Sequence, residues 1–175
     1  MNATINLENK HFPVLLNELI SIISPLYGGT FIDCTFGQGG YSTKILEDKR
    51  NNVIALDRDK DVLTNALKLQ KKYYKRFKFY NLKFSQLNQI KLKDHKIKGI
   101  IFDLGYSLNQ IKNSQKGLSF SDKGKLNMRM GKNDFSANEI ISTMCENNLA
   151  KVFKIFGDEK YSKKIAKEIV SKRKD

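Results

Sequence analysis

The chain has 175 residues, enough for one domain with a real core and hardly for two. No apolar run approaches the roughly 20 residues of a membrane span, residues 1–10 lack the apolar stretch of a secretory signal, and Cys34 and Cys145 stand too far apart to make a CxxC zinc or disulfide pair. The formal net charge of +14 suits a polyanionic partner, nucleic acid before membrane, in a reducing, cytoplasmic setting with no metal expected.

Pro13 can take the first position of a helix, where its missing N–H is no loss. Val14, Leu15, Leu16, Leu19, Ile20 and Ile23 then supply an apolar face, ended by Pro25 and Gly28-Gly29. Residues 30–35 form a β-rich run that stops at Gly37, and residues 41–47 read as a helix. Val53-Ile54-Ala55-Leu56 is a second buried strand, closed by Asp57. Asp59 or Asp61 can cap a helix carrying Val62, Leu63, Ala66, Leu67 and Leu69. Phe77-Lys78-Phe79-Tyr80 is a third strand, and residues 97–104 a fourth. This alternation is a parallel α/β pattern, and the logic of doubly wound sheets orders the strands 3-2-1-4. The fourth strand is nearly all apolar along Gly99-Ile100-Ile101-Phe102, as an interior strand covered on both faces would be. With no later strand in the chain, it is expected to leave an open, hydrophobic edge.

Residues 106–132 have little periodicity and read as a long loop. Three helices follow. Ser136-Ala137-Asn138-Glu139 has the spacing of a capping box, with Ile140, Ile141 and Met144 behind it. Residues 149–156 end at Gly157, a natural C′ residue, and Asp158 opens a last helix with Tyr161, Ile165, Ala166, Ile169 and Val170 as its apolar stripe. The expected division is a Rossmann-like core with an N-terminal helix over residues 1–110 and a loop-plus-helix region over 111–175.

Residues 62–93 contain no acid, while Lys68, Lys71, Lys72, Lys75, Arg76, Lys78, Lys83, Lys91 and Lys93 accumulate among Tyr73, Tyr74, Phe77, Phe79 and Tyr80. That mixture suits phosphate contact and base stacking. Equally, Phe77 and Phe79 can be the buried face of a strand with the lysines merely solvated, and only five of the 32 basic residues are arginine, a bias that an AT-rich genome would produce.

The chemistry is concentrated in Asp33-Cys34-Thr35-Phe36-Gly37-Gln38-Gly39-Gly40, where a strand turns into a helix. Glycines there let backbone approach a ligand that a Cβ would exclude. Asp57, 17 residues beyond Gly40, ends the next strand and can accept hydrogen bonds from both hydroxyls of an adenosine ribose. A dinucleotide site favours G-x-G-x-x-G for its pyrophosphate. An acid four residues before the first glycine, with no third glycine, fits S-adenosylmethionine better, and no hydride-transfer His or Tyr-Lys pair is evident. A purely structural glycine turn is the other alternative. Asp103, ending the fourth strand beside the first, is expected to face the cofactor crevice, unless it only caps its loop.

His11-Phe12-Pro13-Val14-Leu15-Leu16 with Glu18, the motif through Ser42, Asp57-Arg58-Asp59, Phe84-Ser85, Asp103-Leu104-Gly105 with Gln110, Gly117-Leu118-Ser119-Phe120, Leu126-Asn127-Met128-Arg129-Met130, and Gly157-Asp158-Glu159 with Tyr161, Lys163, Ile165 and Ala166 follow in order. Together they resemble the bacterial 16S (small-subunit) rRNA cytosine-N4 methyltransferase family through essentially the whole chain. The resemblance implies S-adenosylmethionine as cofactor, bound by Gly39, Gly40, Tyr41, Asp57, Phe84, Asp103 and Gln110. It also implies ribosomal RNA of the small subunit as substrate, held in part by a helical insertion after the fourth strand. Three departures stand out: Tyr41 for the usual histidine, Asn127 for the usual aspartate, and Tyr106-Ser107-Leu108-Asn109 for the usual Val-Ser-Ser-Pro. Family members also continue into strands that complete the sheet, so the chain is expected to be C-terminally truncated and a poor catalyst. No catalytic residue is assigned. Asp103 is the best-placed acceptor for amino protons, with Tyr106 able to stack on a base.

Overall fold

The computed structural model describes residues 13–23, 27–92, 95–120, 123–131 and 135–173. His11, Phe12, Pro25 and Lys93 lie outside the described residues. The chain divides into two compact units, Met1–Leu108 and Asn109–Asp175.

In the first unit, strands β1 (Gly29–Asp33), β2 (Asn51–Leu56), β3 (Phe77–Tyr80) and β4 (Ile97–Ile101) run parallel in the order β3-β2-β1-β4, as expected. Side chains alternate across the sheet. Phe31, Val53, Ala55, Phe77 and Ile101 therefore enter one core, with Leu16 of α1 (Leu16–Ile23), Ile45 and Leu46 of α2 (Gly40–Leu46) and Ala66 of α3 (Leu63–Lys72). Ile32, Ile54 and Leu56 enter a second core on the opposite face, closed by Ile90 with Leu82, Leu87, Leu92 and Ile97. Each large side chain fully buried here contributes on the order of 2 kcal/mol.

Several boundaries differ from those expected. α1 begins only at Leu16; Val14 and Leu15 precede it and are exposed, Leu15 with a φ of +51°. Asp59 rather than Asp61 is the cap, its carboxylate accepting from the Asp61 N–H at 3.1 Å before a 3-10 turn (Lys60–Val62) that leads into α3. β4 stops at Ile101, and the Asp103 N–H instead donates to Thr35 Oγ1 at 2.8 Å. Nor is β4 covered on both faces. Ile100 is 47% and Phe102 50% exposed, because the segment closing the second core packs around Ile97 and leaves Ile100 outside it. β4 is the end strand of the described sheet.

In the second unit, α4 (Leu108–Lys112) and a 3-10 turn (Ser114–Lys116) occupy part of the expected loop. α5 (Ala137–Thr143) has the capping box in full: Ser136 Oγ accepts from the Glu139 N–H at 3.1 Å, and Glu139 accepts from the Ser136 N–H at 2.6 Å. α6 (Glu146–Gly157) and α7 (Ser162–Ser171) bury Leu149, Ala150 and Ala166 against one another, with Ile140, Met144, Phe153 and Ile169 around them. Gly157 belongs to α6, and Asp158 takes the left-handed turn at φ +46°; α7 begins at Ser162, not at Asp158. An aspartate tolerates that conformation because its short polar side chain bonds locally.

Candidate functional site

The glycine turn leaves the carboxyl end of β1 and enters α2. Gly37 (φ +52°) and Gly39 (φ +77°) both need the left-handed region. At Gly39 a Cβ would lie 2.7 Å from the Phe36 ring, and at Gly40 it would fall on the Pro13 ring. Packing thus requires glycine at 39 and 40 irrespective of any ligand. At Gly37 a Cβ meets only the Thr35 carbonyl at 3.8 Å, so that glycine answers to its backbone conformation alone.

Three acids stand at the carboxyl ends of three adjacent strands. Asp33, ending β1, is fully buried; its Oδ2 accepts from Ser42 Oγ at 2.7 Å and its Oδ1 from the Thr35 N–H at 3.3 Å. Burial raises its pKa to about 6 against those hydrogen bonds, and the charges of Asp57 and Asp103 push the same way. Asp57, after β2, accepts from the Gly37 N–H and the Asp59 N–H, each at 2.8 Å, while its carbonyl accepts from Asn81 Nδ2 at 2.8 Å. Its pKa is also raised, chiefly by burial. Asp103, after β4, is exposed and is anchored through its N–H on Thr35. Tyr41 lies under this rim, 6% exposed, its hydroxyl donating to the Val14 carbonyl. Burial first, then the Asp103 charge, pushes its phenol up to about 12. Phe84 opens a 3-10 turn (Phe84–Gln89) and meets Phe102, the neighbour of Asp103, edge to face at 5.6 Å.

The first unit therefore brings together Gly39, Gly40, Tyr41, Asp57, Phe84 and Asp103. Gln110 lies on α4, across the boundary between the units. Three positioning residues had no individual role in the sequence reading: Thr35 and Ser42, which it named only as part of the glycine motif, and Asn81. For Ser42 a signal existed, a polar residue at a helix position that faces the core. Thr35 and Asn81 gave none, because their partners come from distant segments. Among the described residues no group of His, Cys, Asp and Glu could hold a metal ion, and no helix is long and apolar enough to cross a membrane.

The basic stretch from α3 through β3 resolves largely into structure. Phe77 and Phe79 pack on Phe36, at 5.6 and 5.3 Å between ring centres. Arg76 is not directed to solvent. Its guanidinium donates to the carbonyls of Leu46, Asp48 and Asn51 at 3.0–3.2 Å, and lies 5.3 Å from the Tyr73 ring. Lys68, Lys71, Lys72, Lys75 and Lys78 are exposed, as is Tyr74.

A family model described as the MraW methylase family matches residues 8–175. The chain is similar to proteins named ribosomal RNA small subunit methyltransferase H. It is 44% identical to that of Rickettsia massiliae over 165 residues, 94% of this chain and 53% of the relative. It is 42% identical over 168 residues both to that of Rickettsia canadensis, 96% and 54% of the two chains, and to that of Rickettsia bellii, 96% and 55%. The chain spans about half the length of the curated relatives it matches.

Proposed function

This chain belongs to the MraW methylase family, and on that footing we propose that it carries the S-adenosylmethionine site of a methyltransferase acting on N4 of a cytosine in small-subunit ribosomal RNA. The observation that carries the reading is the convergence of Asp33, Asp57 and Asp103 on the glycine turn. Asp57 and Asp103 at the rim, with Asp33 buried at the end of the strand between theirs, favour a ligand bearing positive charge. S-adenosylmethionine brings a sulfonium and an ammonium, whereas a nicotinamide dinucleotide brings a pyrophosphate that the same acids repel.

The residues fit such a ligand. Backbone bonds set the direction of the Asp57 carboxylate and leave lone-pair capacity for two ribose hydroxyls. Gly39, Gly40 and Tyr41 form the floor, Phe84 and Asp103 the rim, and Gln110 is assigned to the cofactor on the family resemblance. When bound, the cofactor supplies an electrophilic methyl group. Asp103, exposed at the rim and fixed through Thr35, is the group we assign to accept hydrogen bonds from the cytosine amine, which localises its lone pair and takes up the proton. Tyr106, 59% exposed, is free to stack on the base. A second reading, binding without turnover, draws on Ile100, Phe102 and Leu104, which stand exposed along and just beyond β4. A methyl-transfer assay on small ribosomal subunits separates the two.

Calorimetric titration tests the cofactor. S-adenosylmethionine should bind and NAD should not. Asp57→Ala should weaken binding about tenfold to a hundredfold, for charged hydrogen bonds of roughly 1.5–3 kcal/mol. Equal affinities would remove Asp57 from the site, and preferential binding of NAD would overturn the cofactor class.

A further inference from the structure

Phe84 comes to the cofactor site through the family resemblance, and Phe102 has no role there. Yet the two rings meet edge to face, with 5.6 Å between centres and 89° between planes. That is a favoured arrangement for an aromatic pair. Both rings keep about half their surface in water, Phe84 at 46% and Phe102 at 50% exposed, so the pair is not a piece of either core. An edge contact occupies at most one face of a ring and leaves the other open to a flat partner.

The rings stand on different supports. Phe102 lies between two residues tied to the carboxyl end of β1: the Ile101 carbonyl accepts from the Cys34 N–H at 2.9 Å, and the Asp103 N–H donates to Thr35 Oγ1 at 2.8 Å. Phe84 opens a short 3-10 turn whose third residue, Gln86, departs from helical geometry at φ −102° and ψ 15°. Three residues before Phe84, Asn81 Nδ2 donates to the Asp57 carbonyl at 2.8 Å. This bond brings the segment against the acid to which the ribose is assigned, so a base joined to that ribose comes within reach of Phe84. The backbone bonds set where Phe84 stands, and the Phe102 edge sets the angle of its ring. A ring held before the ligand arrives loses less freedom on binding than one the ligand must order.

We propose that Phe102 is a positioning residue for the cofactor's base, holding the Phe84 ring at the angle from which Phe84 stacks on adenine. The proposal rests on S-adenosylmethionine being the ligand and adds to that reading a residue that acts through Phe84. The test is calorimetric titration of the whole chain with S-adenosylmethionine, with adenosine as competitor because it keeps base and ribose without the methionine chain. Phe102→Ala should weaken both ligands by the same factor, about two- to tenfold, the size of one aromatic pair or one freed side chain. Phe102→Leu keeps apolar area without a ring edge and should lose nearly as much, whereas Phe102→Tyr should bind like the parent. In a Phe84→Ala background Phe102→Ala should cost nothing further, because the ring it holds is gone. Phe102 is half exposed, so the variants are expected to fold, and urea unfolding checks that they do.

Parent-like affinity in Phe102→Ala would overturn the proposal. Additive losses in the double variant would overturn it too, since Phe102 would then act without Phe84. So would a loss for S-adenosylmethionine with none for adenosine, which assigns Phe102 to the methionine end, or a Phe102→Leu that binds as well as Phe102→Tyr. Failure of the parent to bind S-adenosylmethionine sinks the cofactor reading and this proposal together. A loss in Phe84→Ala with none in Phe102→Ala sinks the positioning role alone.

Discussion

Arg76 and Arg129 each sit among lysines, and their guanidinium groups meet different surroundings. Arg76 donates to three main-chain carbonyls around the turn between α2 and β2, with Tyr73 against its face. Arg129 donates to the Asn127 side-chain amide, has the Glu139 carboxylate within electrostatic reach, and lines a cavity. The aromatic residues nearby divide in the same way: Phe77 and Phe79 are drawn into the first unit's core, whereas Phe120 and Phe135 stand in water. A guanidinium carries five donors in a fixed fork. Where main-chain carbonyls take up those donors the arginine holds the fold, and where one side-chain amide takes a single donor the exposed guanidinium contributes little to it. Basic composition alone does not distinguish the two cases.

The largest effect expected from this contrast is on stability. Arg76→Ala should destabilise the chain by about 3–5 kcal/mol, because it removes charge-assisted bonds and leaves carbonyls without their partner. Arg129→Ala should cost under about 1 kcal/mol. Urea unfolding of both variants measures the difference, and equal losses would abolish the distinction.

A second expectation concerns the buried acid of the first unit. Asp33 is raised from 3.8 to about 6 by burial. As pH rises, the unfolded chain releases this proton first, so the folded state holds the extra proton between about pH 4 and pH 6. Stability is fully present below that window and falls across it, by roughly 3 kcal/mol for a shift of about two units. Asp33→Asn should remove that fall. A parent-minus-variant difference that stays constant with pH would show that Asp33 does not hold the proton.

The smallest effect is expected at the solvated lysines. Lys71→Gln/Lys72→Gln/Lys75→Gln should change stability by no more than about 0.5 kcal/mol. Urea unfolding measures it, and a loss approaching that of Arg76→Ala would show that these lysines hold structure.

Local pattern was enough to place the strands. Val53-Ile54-Ala55-Leu56 and Phe77-Lys78-Phe79-Tyr80 are bounded by turn-forming or charged residues, and strand periodicity is a property of neighbouring residues. The acids at strand ends and the Ser136–Glu139 capping box follow from the same short-range information, while the strand order came from the general rule for doubly wound sheets. Boundaries were less legible. Val14 and Leu15 continue the apolar helical pattern but stay outside α1, and Gly157 looked like a helix stop while Asp158 makes the turn. At Val14 a distant partner arrives, the Tyr41 hydroxyl from 27 residues away, whereas the end of α6 is closed locally by the Asp158 and Glu159 N–H groups on the Phe153 carbonyl.

The sequence by itself determined a parallel α/β core, a glycine turn between two acids, and membership in a methylase family, since each is written in residues close together along the chain. Only the tertiary structure decided what individual residues do within that frame. It placed the Phe36 ring over Gly39 and the Pro13 ring over Gly40, brought Ser42 onto Asp33, and tied Asp103 to Thr35 across 68 residues. It also turned Arg76 inward and left Arg129 at a cavity wall. The physical reason is common to all of these: burial and hydrogen-bond partners are supplied by segments far apart in sequence, and a side chain's role is set by the partners that arrive.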